Sequence, residues 1–203
     1  MIDPSHPLLL GSASPRRREI LAILRVPIVI APSDADEVPR PTESPSDYLA
    51  RVVREKLLSV APHARTLTIG GVIVADTLVL LDDTILGKPS SVAEAASMVR
   101  RLSGRRHEVW TRFGIARPEA PDVHVHEETV RTAVVFRSLG EREILRYAQS
   151  GEGLDKAGAY AVQGLGAFAV SRIEGSYPNV VGLPSCEVIQ ALLATGLLAD
   201  YPP

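Results

Sequence analysis

Ser12-Ala13-Ser14-Pro15-Arg16-Arg17 places two hydroxyls and two guanidinium groups where an apolar run gives way to a helix-type pattern. The start of a helix offers unbonded N–H groups and the positive end of its dipole to an anion. Arginine adds bidentate contacts to phosphate oxygens. The competing reading is a capped helix with a solvated basic first turn, although arginines there oppose the dipole unless an anion is bound. Asp76 follows Val72-Ile73-Val74-Ala75 at the end of a run that should be buried. A carboxylate in that place must be paired, hydrogen-bonded or holding a metal; capping of a following turn is the plain alternative. Asp36 and Glu37, in the loop after another strand pattern, add oxygens of the kind a hard cation such as Mg²⁺ takes.

Among 22 lysines and arginines, only Lys56, Lys88 and Lys156 are lysines. The two cations are not interchangeable beside phosphates or metals. A solvated surface is the usual place for lysine, but the company of these three argues for a site. Lys88 closes Ala75-Asp76-Thr77 … Gly87-Lys88-Pro89, and Lys156 lies within Ser150-Gly151-Glu152-Gly153-Leu154-Asp155-Lys156-Ala157-Gly158. Asp82 and Asp83 read as turn residues. His107, His124 and His126 have no accompanying ligand cluster and read as strand-edge residues, the last two as an exposed pair. Gln163, taken alone, reads as a turn residue before Gly164.

The elements that must position these groups follow from periodicity. Residues 7–11 and 26–31 are strand patterns, separated by a helix with Ser14 as N-cap, Pro15 in its first turn and Ile20, Leu21, Ile23 and Leu24 facing the core. A Pro/Asp/Ser-rich loop, 32–44, leads to an amphipathic helix over 45–60. The β-branched run 68–81 should be a central strand, turned by Asp82-Asp83-Thr84. Ser91 to Glu94 and Ser138 to Glu141 read as capping boxes opening two helices. Between them, 108–117 and 126–138 alternate as antiparallel strands joined by a Pro/Asp loop. A further strand over 166–174 and a helix over 185–195 complete a mixed α/β pattern.

Composition narrows the function classes. With 203 residues, 45% hydrophobic and 23% charged, the chain suits one soluble globular domain, 1–203, or two tightly joined lobes. A net charge of −2 and 4% aromatics weigh against a nucleic-acid partner. Cys186 is the single cysteine, so an intrachain disulfide and a cysteine-based zinc site are excluded. No apolar run approaches the roughly 20 residues that span a bilayer. Without a signal-peptide pattern, the chain is read as cytoplasmic, with no membrane partner.

Taken together, Ser12-x-Ser14-Pro15-Arg16-Arg17, Asp36-Glu37, Arg54-Glu55-Lys56, Ala75-Asp76-Thr77 … Ile85-Leu86-Gly87-Lys88-Pro89, Leu102-Ser103-Gly104 … His107, Ser150-Gly151-Glu152 … Asp155-Lys156-Ala157-Gly158-Ala159-Tyr160, Gln163-Gly164 and Glu174-Gly175-Ser176-Tyr177 … Asn179-Val180-Val181-Gly182-Leu183-Pro184 resemble the Maf family of nucleoside triphosphate pyrophosphatases. The match covers nearly the whole chain. Asp83 departs from a common glycine, and Gly153-Leu154 from a frequent proline-containing pair. The resemblance implies a mixed, twisted sheet flanked by helices, two lobes around a cleft and a homodimer. It also implies metal-dependent hydrolysis of a nucleoside triphosphate to the monophosphate and pyrophosphate, with Mg²⁺ or Mn²⁺ as cofactor. By the same resemblance Asp76 is the general base, Glu37 and Asp76 hold the metal, and Ser12, Arg16, Arg17, Lys56 and Lys88 bind the triphosphate, with help from Lys156. Arg16, Thr77 and Gln163 match the positions that separate substrate subgroups and look like the dTTP/UTP-preferring one, with modified pyrimidine triphosphates as further substrates. The alternatives are a 7-methyl-GTP-preferring or broader pyrophosphatase, and a septum-formation inhibitor acting by binding.

Overall fold

The run from Gly71 to Leu81 offers apolar side chains to both faces of a strand, and it forms the long central strand β3, Gly71–Leu81, buried along nearly all its length. Around it a computed structural model, which describes all 203 residues, places β1 (Leu8–Leu10), β2 (Ile28–Ile30), β4 (Thr84–Leu86), β5 (Arg106–Arg117), β6 (Ala120–Phe136) and β7 (Val170–Glu174). The helices are α1 (Pro15–Ile23), α2 (Pro45–Ala64), α3 (Val92–Leu102), α4 (Glu141–Gln149), α5 (Tyr177–Val181) and α6 (Ser185–Ala194). The sheet runs β2-β1-β3-β5-β6-β7, with β4 paired to β3 outside that path. β1 lies parallel to both β2 and β3, so α1 and α2 are the crossover helices such pairing demands. β4 and β7 pair antiparallel with β3 and β6, making the sheet mixed.

The chain divides into two compact units, and β3, β5 and β6 contribute residues to both. The first comprises Met1–Asp76, Thr111–Thr129 and Gly182–Pro203. In its core α2 sets Val53, Leu57, Val60 and Ala64, one stripe of the helix, against Leu9, Val72 and Val74 of the sheet. The second comprises Thr77–Trp110 and Val130–Val181. Its core gathers Val99 and Leu102 of α3, Ile144 and Tyr147 of α4, and Val79, Leu81, Val109, Val134 and Phe136 of the strands.

Several expectations shift in register. α2 runs past Val60 to Ala64, because Pro62 forfeits a backbone bond only in the fraying last turn. In α1 the buried positions are Arg17, Ile20 and Leu21, which leaves Ile23 80% exposed on the opposite side. The helix expected to open with a box at Ser138 starts at Glu141, and Glu143 accepts from the Gly140 N–H at 2.8 Å. The loop expected between β5 and β6 shrinks to Pro118-Glu119, since Val123 and Val125 extend the strand. Residues 165–169 form a 3-10 turn, so β7 begins only at Val170. Asp82 and Asp83 do make the β3–β4 turn, with φ of +47° and +60°, a conformation Asp tolerates where glycine is more usual.

His107 is no strand-edge residue. It is 2% exposed, its Nε2 lies 2.9 Å from the Tyr160 hydroxyl, and its ring meets Phe136 edge-on at 5.0 Å. His124, expected on the surface, is mostly buried against the space left by Gly114.

Burial lowers the His107 pKa from its ordinary 6.5 to about 4. In that window the unfolded chain binds the proton and the folded one does not, so stability should fall as pH drops from about 6.5 towards 4. His107→Phe should flatten this slope in denaturant-unfolding midpoints measured between pH 7 and 4.5, relative to the unsubstituted protein.

Candidate active site

Asp76 lies inside β3 rather than at its end, so there is no adjacent turn for it to cap. It is 5% exposed, and a carboxylate buried in a strand needs compensation. Compensation comes from Lys56, which projects from the inward face of α2. Tyr48, Val52 and Lys56 follow one another at four-residue spacing on the buried stripe of that helix. The Lys56 ammonium stands 2.7 Å from Asp76 Oδ1, 2.7 Å from Glu37 Oε1 and 3.2 Å from the Ala75 carbonyl. Asp76 Oδ2 is buried and has no hydrogen-bond partner.

Glu37 comes from the loop between β2 and α2, and α2 holds that loop down. The Tyr48 hydroxyl donates to the Glu37 carbonyl at 3.0 Å. Arg51 donates to the Asp36 and Val38 carbonyls and forms paired bonds with Glu43 at 2.6 and 3.0 Å. It also reaches Glu55 one turn along α2 at 3.1 Å. The bonds from Arg51 hold the Glu43 carboxyl down to about 2. Tyr48 keeps its proton: burial raises its pKa, and the Asp76 and Glu37 charges push the same way. Asp36 Oδ1 accepts from the Val38 N–H at 2.9 Å as a local turn.

The junction of β1 and α1 supplies the cations. Gly11 permits a close approach there, since a Cβ at that position would lie 2.7 Å from Val74 Cγ1. Ser14 precedes α1 but makes no side-chain cap. Ser12 takes the structural part instead, accepting from the Ser14 N–H at 3.3 Å and from Arg17 Nη1 at 3.0 Å. Arg17 is buried, and its Nε donates to the Gly182 carbonyl at 2.8 Å. Burial lowers its pKa, against the opposing charges of Asp76 and Glu37, with Arg16 lowering it further. Ser12, Arg17, Glu37, Lys56 and Asp76 therefore share one electrostatic neighbourhood in the first unit. Two carboxylates there are matched by an ammonium and a guanidinium, with the half-buried Arg16 beside them.

The remaining sequence candidates lie in the second unit. Thr77 follows Asp76 in β3 and is half-buried, while Lys88 and Gln163 are exposed. Lys88 follows Gly87, whose carbonyl accepts from the Gly158 N–H at 3.1 Å. Lys156 bonds to the Glu152 carbonyl and to the Asp155 carboxylate, in keeping with a structural part. Tyr48 and Arg51 escaped the sequence reading, although Arg51 and Glu55 carry the signal of an i, i+4 ion pair.

No group of three or more His, Cys, Asp and Glu side chains is arranged to hold a metal ion. Glu37 and Asp76 form a pair, and Asp76 Oδ2 is an orphaned acceptor. That donor set fits Mg²⁺ or Mn²⁺, because such ions are commonly held by one or two carboxylates and completed by substrate phosphates and water. The arrangement as a whole suits polyanion binding beside a carboxylate able to take a proton.

The family model described as Maf-like protein matches residues 7–195. A dTTP/UTP pyrophosphatase of Myxococcus xanthus is 47% identical over 192 residues, spanning 94% of this chain and 93% of that protein. The dTTP/UTP pyrophosphatase of Citrifermentans bemidjiense is 45% identical over 193 residues, 95% and 97% of the two chains. That of Hahella chejuensis is 44% identical over 190 residues, 94% and 92% of the two chains.

Removing one member of a buried ion pair strands the other, at about 3–5 kcal/mol. Lys56→Met should destabilise the protein by about that much in equilibrium urea unfolding. Adding Asp76→Leu should recover part of the loss, because the stranded buried carboxylate is then gone, Glu37 is exposed to water, and Arg17 keeps Glu37 as an opposite charge.

Proposed function

The chain belongs to the Maf-like protein family, and from that premise we propose that it hydrolyses dTTP and UTP, and modified pyrimidine triphosphates, to the monophosphate and pyrophosphate. Relatives named dTTP/UTP pyrophosphatase at 44–47% identity support the substrate class. The observation that carries the reading is Asp76: a buried carboxylate with one oxygen fixed by Lys56 and the other without a partner. Such a group has a fixed direction and a lone pair that no donor engages, as a base for water requires.

In the proposed reaction a water oxygen attacks the α-phosphorus as its proton passes to Asp76 Oδ2. The bond from that phosphorus to the α,β-bridging oxygen breaks, and pyrophosphate leaves with the electron pair. Negative charge grows on the equatorial and departing oxygens, so catalysis is chiefly positioning and cationic stabilisation. Arg16 and Arg17 at the start of α1, with Ser12, supply charge and donors to the phosphates. Lys88 is proposed as the strongest lysine contact to the triphosphate. Lys56 keeps the two carboxylates together with all three of its donors, and is proposed to serve the triphosphate through its positive charge. Glu37 and Asp76 would hold the divalent cation; when bound, it neutralises phosphate charge and acidifies the attacking water.

Gln163 is proposed to read the base, with Arg16 and Thr77 as the other discriminating positions. Uracil and thymine present an N3–H donor beside a carbonyl acceptor, and one primary amide answers both. A glutamate there would repel the carbonyl.

Purified protein with Mg²⁺ or Mn²⁺ should release pyrophosphate from dTTP and UTP in preference to other triphosphates. Release from 7-methyl-GTP alone would move the chain to the other subgroup. Asp76→Asn should lower kcat by about 10²–10⁴-fold, the usual worth of a general base, with nucleotide binding retained. Unchanged turnover would remove Asp76 from the role of base. Lys88→Ala should raise KM by about tenfold or more, as loss of a hydrogen bond between charged groups does.

A further inference from the structure

The segment that carries Gln163 is held at both ends by a polar cage built around Glu152. Its carboxylate accepts from two consecutive backbone N–H groups, Leu165 to Oε1 at 2.8 Å and Gly166 to Oε2 at 2.9 Å. The Tyr147 hydroxyl donates to Oε2 at 2.9 Å and accepts from the Ala161 N–H at 3.1 Å. Residues 161 and 165–166 are thus tied through one carboxylate and one phenol, with the exposed Gln163 between them.

The cage has no spare room. A Cβ at Gly164 would lie 2.0 Å from Glu152 Oε1, and one at Gly166 would lie 2.6 Å from both the Tyr147 hydroxyl and the Ala161 carbonyl. Gly153, next to Glu152, could not carry a Cβ either, since it would meet the Ala159 carbonyl at 2.1 Å. The glycines of Gly164-Leu165-Gly166 therefore have a local physical cause. Tyr147 is buried in the core of the second unit, so the cage is anchored to α4. Burial pushes the Glu152 carboxyl up, but the Gly166 and Leu165 N–H donors, the Tyr147 hydroxyl and the Lys156 ammonium together bring it below the ordinary value. Burial raises the Tyr147 phenol well above its own, so it keeps the proton it donates.

We infer that Glu152, with Tyr147 behind it, is the positioning residue that sets substrate selectivity by fixing the segment that presents Gln163. The inference rests on the proposal that Gln163 reads the pyrimidine base. A primary amide discriminates between base edges only when its oxygen and nitrogen are held in one orientation. Glu152 needs no contact with substrate to impose that, and its loss should blur selectivity more than it slows the chemical step. Lys156, whose ammonium bonds the Glu152 carbonyl, then acts as a brace for this cage.

The test compares Glu152→Gln, Tyr147→Phe and Gln163→Ala with the unsubstituted enzyme on dTTP, UTP, CTP and 7-methyl-GTP, together with amide hydrogen exchange over residues 161–166. Glutamine at 152 keeps the size but turns an NH₂ towards one of the two backbone N–H donors. Glu152→Gln should speed exchange at Leu165 and Gly166 and compress the kcat/KM ratio of dTTP to CTP and to 7-methyl-GTP by about tenfold, one charge-assisted hydrogen bond's worth. The loss should appear mainly in KM, and Tyr147→Phe should move both readouts the same way by less. Faster exchange with unchanged ratios, or an equal fall on every nucleotide, would overturn the inference while Gln163→Ala still compressed the ratios. If Gln163→Ala left the ratios intact, the reading of Gln163 itself would fail. Should Glu152→Gln not fold, Tyr147→Phe decides by the same two readouts.

Discussion

One ammonium group, that of Lys56, answers two carboxylates that the fold brings to it from different elements. Asp76 arrives inside a buried strand and Glu37 on a loop, and each lies 2.7 Å from the same nitrogen. Asp76 could not be buried beside a second carboxylate without that cation, whereas Glu37 stays exposed to water. The arrangement makes demands in every direction. β3 must carry Asp76 among apolar neighbours, α2 must turn the stripe of Tyr48, Val52 and Lys56 inward, and the 32–44 loop must present Glu37.

The loop would be the weakest of these elements, because it has no ladder or core of its own. Arg51 changes that. Its guanidinium takes two loop carbonyls and the Glu43 carboxylate at once, and it lies one turn before Glu55 on α2. A planar fork suits this work better than an ammonium, since several acceptors lie in fixed directions around it. The helix that supplies the buried cation thus also fixes the position of its second carboxylate. Tyr48 adds a further tie, from the same helix to the Glu37 backbone. Precision at the carboxylate pair comes from α2 rather than from the loop.

The parts legible in the sequence are those whose cause is local. Alternation, caps and the β-branched run foretold most strands and helices to within a few residues, and Asp82-Asp83 declared its turn, but β6 starts well before 126, at Ala120, and α5 had no expected counterpart. Positions governed by distant partners were less readable. Arg17 read as an anion-binding charge, or else a solvated one, in the first turn of α1; neither reading foresaw that it is buried and donates to the Gly182 carbonyl. His107 looked like an edge residue because nothing near it in the chain announces Tyr160 and Phe136. The strand expected over 68–81 does run to Leu81, with Leu78, Val79 and Leu80 buried, so Asp76 lies within it and has no adjacent turn to cap. The resemblance named the residues to watch; it could not say which cation each carboxylate would meet.

The rarity of lysine in this chain acquires a physical sense at position 56. A guanidinium is wider and planar, and its donors diverge, whereas the two carboxylates and the Ala75 carbonyl converge on a point. A compact ammonium with three rotatable donors fits that convergence. The same argument separates the three lysines. Lys56 is buried and fully engaged, Lys156 braces a turn through the Glu152 carbonyl, and Lys88 stands exposed on the segment after β4. Local structure thus accounts for Lys56 and Lys156 by different contacts, a buried pair of carboxylates in one case and a backbone carbonyl in the other.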